Sequence, residues 1–260
     1  YFAQGGRDNG MLTQEGEALL LPIRSMNANG RAFGVAAYQK AFVAHFGPGG
    51  RYQGYIDRPT RAALNNILAE QSPSGIDDDQ NPAVARLPAI VARYHDQADL
   101  SQMMTKAMQV TNVNDIASAY GAAFADVLTR VLGGAPLGES LEAAAAASDE
   151  AIRADLTGAL STSDDNSTDY AGVMGRACHL PTAGPIAFHI LKHSTGYAEA
   201  VERNIMAGGD SAGRSIFIGA AMGAVHGIAT HSGIPLGWAL TLRDGAVIWQ
   251  DCVHLGGGQD

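Results

Sequence analysis

The stretch that most constrains the fold is a long glycine-spaced run late in the chain. Ala207–Ala229 reads AGGDSAGRSIFIGAAMGAVHGIA. Asp210 and Ser211 stand where a helix N-cap is expected, because a side-chain oxygen there accepts hydrogen bonds from free backbone N–H groups. Glycine then recurs at every fourth position from 219 to 227, which predicts a face that a neighbouring helix approaches closely. The run is apolar enough to resemble a membrane span, but Arg214 and the glycines favour a central helix of a soluble domain.

Composition extends this prediction to the whole chain. The 260 residues are rich in alanine and only 7% aromatic, and no alternating strand pattern persists. Helical spacing of apolar residues recurs between short loops, without a repeat of fixed period. We therefore predict an all-α fold, formed as a single compact multi-helix bundle over residues 1–260.

The charge and the cysteines narrow the function classes. A net charge of −9 argues against a nucleic-acid or anionic-membrane surface and suits a cation site. Cys178 and Cys252 are far apart and lack metal-type spacing, which predicts reduced thiols in the cytoplasm or another reducing compartment. No signal peptide is visible, and because the first residue is Tyr1 rather than Met, an N-terminal segment can precede this sequence.

Helix boundaries follow from caps and breakers. Thr13, followed by acids and an apolar run, predicts a helix start. Further helices are predicted over Arg31–Phe46, Pro59–Glu70, Ala83–Tyr94, Leu100–Gln109, Asp115–Leu132, Leu137–Ala147, Asp149–Ala159, Ile186–His193 and Tyr197–Ala207. Gly245–Val253 is predicted as a short strand or last turn, and Trp238 and Leu240 as buried residues.

Four short stretches carry a likeness to a known family in the same chain order. Gly208-Gly209-Asp210-Ser211, followed by a small-residue helix, resembles the second signature of the ADP-ribosylglycohydrolase superfamily. Gly175–Pro181, with its Cys-His-Leu-Pro, resembles a segment of the J-crystallin-like branch. Tyr52–Asn65 resembles a helix start of that branch, and Thr13–Leu20 stands where the first metal signature belongs.

The resemblance implies an all-α bundle with two magnesium ions at its centre. Active members hydrolyse the bond between ADP-ribose and an amino-acid side chain, so the implied partner is an ADP-ribose-type small molecule or an ADP-ribosylated protein. Magnesium takes carboxylate, hydroxyl and water oxygens, and two ions can hold the ribose and polarise a water for attack. The family supplies these ligands from a Thr-Asp-Asp element near the N-terminus and an Asp-x-Asp-Thr element on a late helix. The apolar helices are also compatible with an oligomer or a larger assembly.

This sequence departs from both elements. In the late one, Asp210 matches the first aspartate, while Ala212 and Gly213 replace the second aspartate and the threonine. In the early one, Thr13 matches, whereas Gln14 and Glu15 replace the aspartate pair, and an alternative register uses Glu17. The family's opening Gly-Asp segment is not in this sequence. The predicted ligands for one or two magnesium ions are Thr13, Glu15, Glu17, Asp210 and Ser211, with Asp210 and Glu17 as the catalytic acids.

Substrate contacts are predicted from the neighbouring loops. Tyr52 and Tyr55 can stack on an adenine or anchor their own loop to the core. The other predicted substrate-binding residues are Ser74, Gly75, Gly208 and Gly209.

Several candidates also have a purely structural interpretation. Asp210 as an N-cap alone contributes about 1 kcal/mol, and Glu15 and Glu17 can be first-turn helix charges. His189 and His193 are expected to be packed or solvated rather than zinc ligands, because no H-E-x-x-H motif is present. We also expect His179 to be a structural residue that is hydrogen-bonded near the core, His226 to lie in the core, and Asp77–Asp79 to form a solvated turn.

Two functions of different class therefore remain open. The first is a hydrolase that cleaves an ADP-ribosyl N- or O-glycosidic bond with magnesium. The second is a catalytically silent, J-crystallin-like binding or structural protein with a degenerate metal site.

Overall fold

The computed structural model describes residues 5–257, and these form helices linked by short loops, with isolated β-bridges but no strand. This confirms the all-α prediction. No helix in the described range is long and apolar enough to cross a membrane. The helices are α1 Gln14–Ala28, α2 Val35–Phe46, α3 Arg58–Leu68, α4 Leu87–Tyr94, α5 Leu100–Met108, α6 Asp115–Leu132, α7 Leu137–Ala147, α8 Glu150–Ser161, α9 Ser167–Met174, α10 Leu180–Lys192, α11 Tyr197–Ala207, α12 Ser211–His226, α13 Leu236–Thr241 and α14 Gly245–Leu255.

Local caps account for the helix starts that the sequence predicted. Thr13 Oγ1 accepts a hydrogen bond from Gly16 N at 3.5 Å, which begins α1 as expected. The predicted bounds of α6, α7 and α11 match the structure at both ends. Helix α10 begins six residues before the predicted start, because Pro181 lies in its first turn, where a backbone N–H is not needed.

Two predictions near the C-terminus are wrong. Gly245–Leu255 is an 11-residue helix rather than the short strand or last turn predicted over Gly245–Val253. Trp238 and Leu240 were predicted to be buried but are 46% and 75% exposed, and no residue of α13 is buried. The apolar composition of these segments indicated a buried setting that their tertiary environment does not provide.

The chain groups into two compact units. Unit 1 comprises Tyr1–Asp78, Pro82–Asn114 and Leu240–Asp260, and unit 2 comprises Asp79–Asn81 and Asp115–Ala239. Unit 1 contains α1 to α5 and α14, and unit 2 contains α6 to α12. The division of the chain into one domain or more stays a prediction.

Aromatic rings organise the core of unit 1. The rings of Tyr38 and Phe42 lie 6.0 Å apart, and those of Phe42 and Phe46 lie 5.1 Å apart along α2. Phe46 in turn contacts Tyr52 at 5.4 Å. Spacings in this range favour aromatic pairs beyond their buried area, so α2 fixes the loop that follows it.

The core of unit 2 is built around α6, α10 and α12. The Phe124 and Phe217 rings stack at 4.0 Å with an angle of 9° between their planes. Gly184 on α10 lets that helix approach Tyr120, because a Cβ at this position would lie 2.4 Å from Tyr120 Cε1. The glycine face of α12 is approached less closely than predicted. A Cβ at Gly219 would lie 3.3 Å from the Tyr197 hydroxyl, at the end of a side chain, and Cβ atoms at Gly223 and Gly227 would make ordinary contacts at 3.6 and 3.9 Å.

A buried histidine links the stability of unit 2 to pH. His189 Nε2 donates a hydrogen bond to the Asp164 carbonyl, and Nδ1 accepts from the Ser167 hydroxyl at 3.1 Å. Burial lowers the pKa of His189 below its ordinary value of 6.5, and His193 is shifted in the same direction for the same reason. Burial therefore favours the neutral form of His189, and the hydrogen bond to the Asp164 carbonyl offsets part of this pKa shift. The buried, hydrogen-bonded ring agrees with the expected packed role.

We expect acid to destabilise the protein through His189. The unfolded chain takes up this proton first as the pH falls below about 6.5, so stability is present above that value and is lost below it, by up to about 1.4 kcal/mol per pH unit for this group. Urea unfolding at about pH 7.5 and about pH 5.5 should show this loss, and His189→Phe should reduce it. An unchanged difference between the two pH values in His189→Phe would contradict the assignment.

Candidate functional site

Asp210 is the centre of the candidate site in unit 2. It caps α12, and its Oδ1 accepts a hydrogen bond from Gly213 N at 2.9 Å. Its Oδ2 accepts a hydrogen bond from Asn81 Nδ2 at 2.8 Å. Each oxygen of this carboxylate therefore faces a nitrogen donor.

The position of Asn81 depends on Gly213. A Cβ at Gly213 would lie 2.6 Å from Asn81 Cβ and 2.5 Å from Asp210 Oδ2. Asn81 is buried, and its backbone N–H donates to the Cys178 carbonyl at 2.9 Å. The space beside residue 213 is thus filled by the Asn81 side chain.

A histidine and an aspartate form a second pair in the same unit. His179 Nδ1 hydrogen-bonds Asp79 Oδ1, and the Leu180 N–H donates to the Asp79 carbonyl at 2.9 Å. The His179 side chain is 51% exposed, so the expectation that it lies near the core is wrong. Asp79 and Asn81 belong to one three-residue segment, which places the His179–Asp79 pair next to the Asn81–Asp210 pair.

The two glycines before Asp210 form a sharp turn against Arg176. Gly208 and Gly209 have φ values of +71° and +65°, which glycine adopts without strain. A Cβ at Gly209 would lie 2.4 Å from the Arg176 carbonyl oxygen. The Arg176 guanidinium is exposed and makes no hydrogen bond or ion pair within residues 5–257. A cation is therefore available next to the turn.

The early ligand candidates all lie at the start of α1, in unit 1. Thr13 is the N-cap, Glu15 follows in the first turn, and Glu17 Oε2 lies 3.1 Å from His45 Nε2. The structure thus brings Thr13, Glu15 and Glu17 together within unit 1 and places Asp210 and Ser211 together in unit 2. A shared metal site formed by all five stays a prediction.

Gln14 and Asp57 form a pair that the sequence did not reveal. Gln14 Nε2 donates to Asp57 Oδ2 and to Thr60 Oγ1, and the Asp57 N–H donates to Gln14 Oε1 at 2.8 Å. Burial raises the pKa of Asp57, and hydrogen bonds from Thr60 and Gln14 partly offset that shift. Gln14 therefore serves a buried carboxylate inside unit 1.

The predicted substrate residues of unit 1 make internal contacts. The Tyr52 hydroxyl donates to the Tyr55 carbonyl at 3.0 Å, so Tyr52 anchors its own loop. The Ser74 hydroxyl donates to the Val110 carbonyl at 2.8 Å, and a Cβ at Gly75 would lie 2.6 Å from Asn112 N. The role of these residues in substrate binding stays a prediction.

One acidic loop differs from its expected solvated state. Asp78 is buried, with its Oδ2 2.5 Å from Arg58 Nη2, and its backbone carbonyl accepts from Asn112 Nδ2. The expectation of a solvated turn is therefore wrong for Asp78. The neighbouring Asp77 is hydrogen-bonded to Asn114 at an exposed position.

The residues around Asp210 do not fit a magnesium ion. Magnesium needs oxygen ligands in near-octahedral geometry, whereas Asp210 faces a backbone N–H and a carboxamide NH₂. Ala212 and Gly213 add no ligand. Within residues 5–257, no group of three or more His, Cys, Asp or Glu side chains is placed to hold a metal ion.

Comparison with known proteins agrees with the early resemblance. The family model described as ADP-ribosylglycohydrolase matches residues 1–258. Crystallin J1A of Tripedalia cystophora is 25% identical over 244 residues, covering 89% of this chain and 74% of the crystallin. Crystallin J1B of the same organism is 27% identical over 256 residues, covering 93% of this chain and 78% of the crystallin.

A solved structure supports the same fold. An ADP-ribosylglycohydrolase-related protein complex contains a chain that superposes with a TM-score of 0.77, at 19% sequence identity. The match covers 95% of this chain and 82% of the other. At 19% identity, this likeness is evidence for the fold alone.

Proposed function

The chain belongs to the ADP-ribosylglycohydrolase family, and from that premise we propose that unit 2 binds an ADP-ribosyl compound and hydrolyses its glycosidic bond. The observation that carries the proposal is the exposed His179, oriented by Asp79 next to the Asn81–Asp210 pair. An imidazole held by a carboxylate is a common general base.

Arg176 and two helix N-termini support recognition of the diphosphate. The guanidinium of Arg176 is exposed beside the Gly208-Gly209 turn and can pair with phosphate oxygens in a bidentate manner. The N-termini of α10 and α12 add positive partial charge, and both contact the Asp79–Asn81 segment, through the Leu180 N–H and through Asp210. Both features favour a ligand that carries a dianionic diphosphate.

The proposed chemistry uses water as the nucleophile. Asp79 accepts a hydrogen bond from the Nδ1–H of His179, which leaves the Nε2 lone pair to take a proton from water. The water oxygen bonds to the anomeric carbon and the bond to the amino-acid side chain breaks. The leaving group takes up a proton from solvent, and the His179 imidazolium returns its proton to solvent. The negative charge of Asp210 stabilises positive charge that develops on the ribose ring.

Release of ADP-ribose tests this function. We expect the protein to release ADP-ribose from peptides that carry ADP-ribosyl-arginine or ADP-ribosyl-serine, and to do so in the presence of EDTA. Anion-exchange chromatography of the products measures the release. If no substrate of either kind is turned over, with or without added magnesium, the hydrolase proposal is rejected.

A second candidate is a binding protein without turnover. It is favoured by the hydrogen bonds of Asp210, since each carboxylate oxygen accepts one from a nitrogen donor that caps α12 or tethers Asn81. The J-crystallin relatives are compatible with it. Saturable binding of ADP-ribose together with no release in the same assay would select this function.

The partner and compartment follow from the same proposal. The partner is an ADP-ribose-type small molecule or an ADP-ribosylated protein. Because neither Cys178 nor Cys252 forms a disulfide within residues 5–257, we propose a reducing compartment such as the cytoplasm.

A further inference from the structure

We propose that a groove between α1 and α2 in unit 1 binds a small phosphate monoester with an aliphatic body. The groove has a volume of about 470 Å³, which lies in the range of small-molecule binding sites. All the residues that line it belong to unit 1. The proposal therefore holds or fails independently of the turnover proposed for unit 2.

The floor of the groove is apolar because both helices present small side chains there. Positions 21, 25 and 28 of α1 and positions 37, 41 and 44 of α2 follow helical spacing, so each set lies on one face of its helix. None of the lining residues is Phe, Tyr or Trp, so the floor offers an aliphatic surface rather than a stacking partner. A ligand with an aliphatic body would bury this surface. The apolar lining residues are Leu21, Ala28, Ala37, Ala41 and Ala44.

Three cationic side chains line the same groove. Arg24 Nε donates to Asp251 Oδ2 at 2.7 Å, which orients the guanidinium and leaves its two terminal nitrogens without a hydrogen bond within residues 5–257. Lys40 and Arg51 are exposed, and neither side chain forms an ion pair or a hydrogen bond in that part of the chain. Asp251 offsets one of the three positive charges. The remaining two match a phosphate monoester, which carries close to two negative charges at neutral pH.

The groove differs in charge from the chain as a whole. The chain has a net charge of −9, yet no Asp or Glu is among the residues that line the groove. Glu17 contacts the lining from outside, with its Oε2 3.1 Å from Nε2 of the buried His45. A local concentration of positive charge on an acidic protein favours an anionic ligand at this position.

The turn after α2 positions Arg51 beside the groove. The Arg51 N–H donates to the Ala44 carbonyl at 3.4 Å, and the Tyr52 N–H donates to the His45 carbonyl at 2.9 Å. Gly50 permits this return of the chain, because a Cβ there would lie 2.4 Å from the His45 carbonyl oxygen. The two hydrogen bonds satisfy carbonyls at the C-terminus of α2, whose negative partial charge would otherwise oppose an anion.

Calorimetric titration of the wild-type protein with three compounds tests the site. We expect hexyl phosphate to bind saturably, with one molecule per chain. Inorganic phosphate lacks the apolar body and hexanol lacks the charge, so each should bind at least about tenfold more weakly. No saturable binding of hexyl phosphate would overturn the proposal, and so would equal affinities for hexyl phosphate and inorganic phosphate.

Variants of the lining locate the binding. Lys40→Gln and Arg51→Gln should each weaken hexyl phosphate binding about tenfold, because each removes a charge-assisted hydrogen bond. Both residues are exposed, so the Tm should stay close to that of the wild type. Ala44→Phe should also weaken binding, because the ring fills the exposed part of the floor. Arg176→Gln is the matched control in unit 2, and it should bind hexyl phosphate as tightly as the wild type does.

Vesicles of phosphatidylcholine with phosphatidic acid distinguish a free phosphate from a lipid headgroup. They should not sediment the protein, because an anionic surface repels a net charge of −9. Sedimentation that is lost in Lys40→Gln would assign the groove to a lipid headgroup and overturn the proposal of a free ligand. Hexyl phosphate binding that is unchanged in both Lys40→Gln and Arg51→Gln, or that is lost in Arg176→Gln, would place the ligand elsewhere and overturn it as well.

Discussion

Replacing Arg214 by methionine is expected to lower the free energy of unfolding by about 3–5 kcal/mol. Arg214 is 2% exposed, and its Nε donates to Asn204 Oδ1 at 2.9 Å. Its Nη2 donates to the carbonyls of Gly208 and Asn204 at 2.5 and 3.2 Å. Methionine fills part of the volume but leaves buried acceptors without donors, and those contacts join the end of α11 to the first turn of α12.

Urea denaturation of the variant and of a surface control measures this effect. Burial lowers the pKa of Arg214 to about 10, so the group remains charged at neutral pH. Arg130 pairs with Asp126 one turn away on α6 and is 41% exposed, and Arg130→Met should therefore cost less than about 1 kcal/mol. Equal losses in the two variants would show that the Arg214 network does not hold the Gly208-Gly209 turn in place.

Replacing His179 by alanine is expected to lower kcat by about 10²–10⁴-fold on an ADP-ribosyl substrate. His179 is exposed and contributes little to the core, so the loss should appear in turnover while the Tm stays close to that of the wild type. Asp79→Asn should also reduce kcat, because the carboxamide can present its NH₂ group as well as its oxygen to Nδ1, so the imidazole tautomer is no longer fixed.

Steady-state kinetics distinguish this role from a structural one. The loss in His179→Ala should appear in kcat, with KM close to that of the wild type. His231 lies in an exposed loop of unit 2, and His231→Ala should leave kcat unchanged. A His179→Ala enzyme with wild-type turnover would remove His179 from the mechanism.

Local chemistry made much of the fold predictable from the sequence. The cap at Thr13 is formed by atoms three residues apart, so pattern alone locates the start of α1. The same holds for Asp210 and Gly213 at α12. The last helix, α14, was predicted wrongly because its apolar, β-branched composition suggested a strand. In the structure α14 packs against α1, and Arg24 Nε on α1 lies 2.7 Å from Asp251 Oδ2 on α14. This tertiary contact overrides the local preference.

The candidate site could be predicted only in part. Asp210 stood out because it lies in a recognisable signature, whereas its partner Asn81 is 129 residues away in the chain and lies in an acidic loop that looked solvated. Asp79 and His179 are separated by 100 residues and carry no spacing signal either. Gln14 departed from the expected metal signature, but only the structure reveals that its amide serves Asp57. Such pairings arise from tertiary packing and leave no local pattern in one sequence.

Calorimetric titration of ADP-ribose into the wild-type protein in the presence of EDTA is the most direct measurement of a metal-independent ADP-ribosyl site in unit 2. Saturable heat is expected, unchanged by adding magnesium in place of EDTA, with an affinity about tenfold weaker in Arg176→Ala because one phosphate contact is lost. The account would be contradicted if no heat were released in EDTA and if binding appeared only after magnesium was added and disappeared in Asp210→Asn.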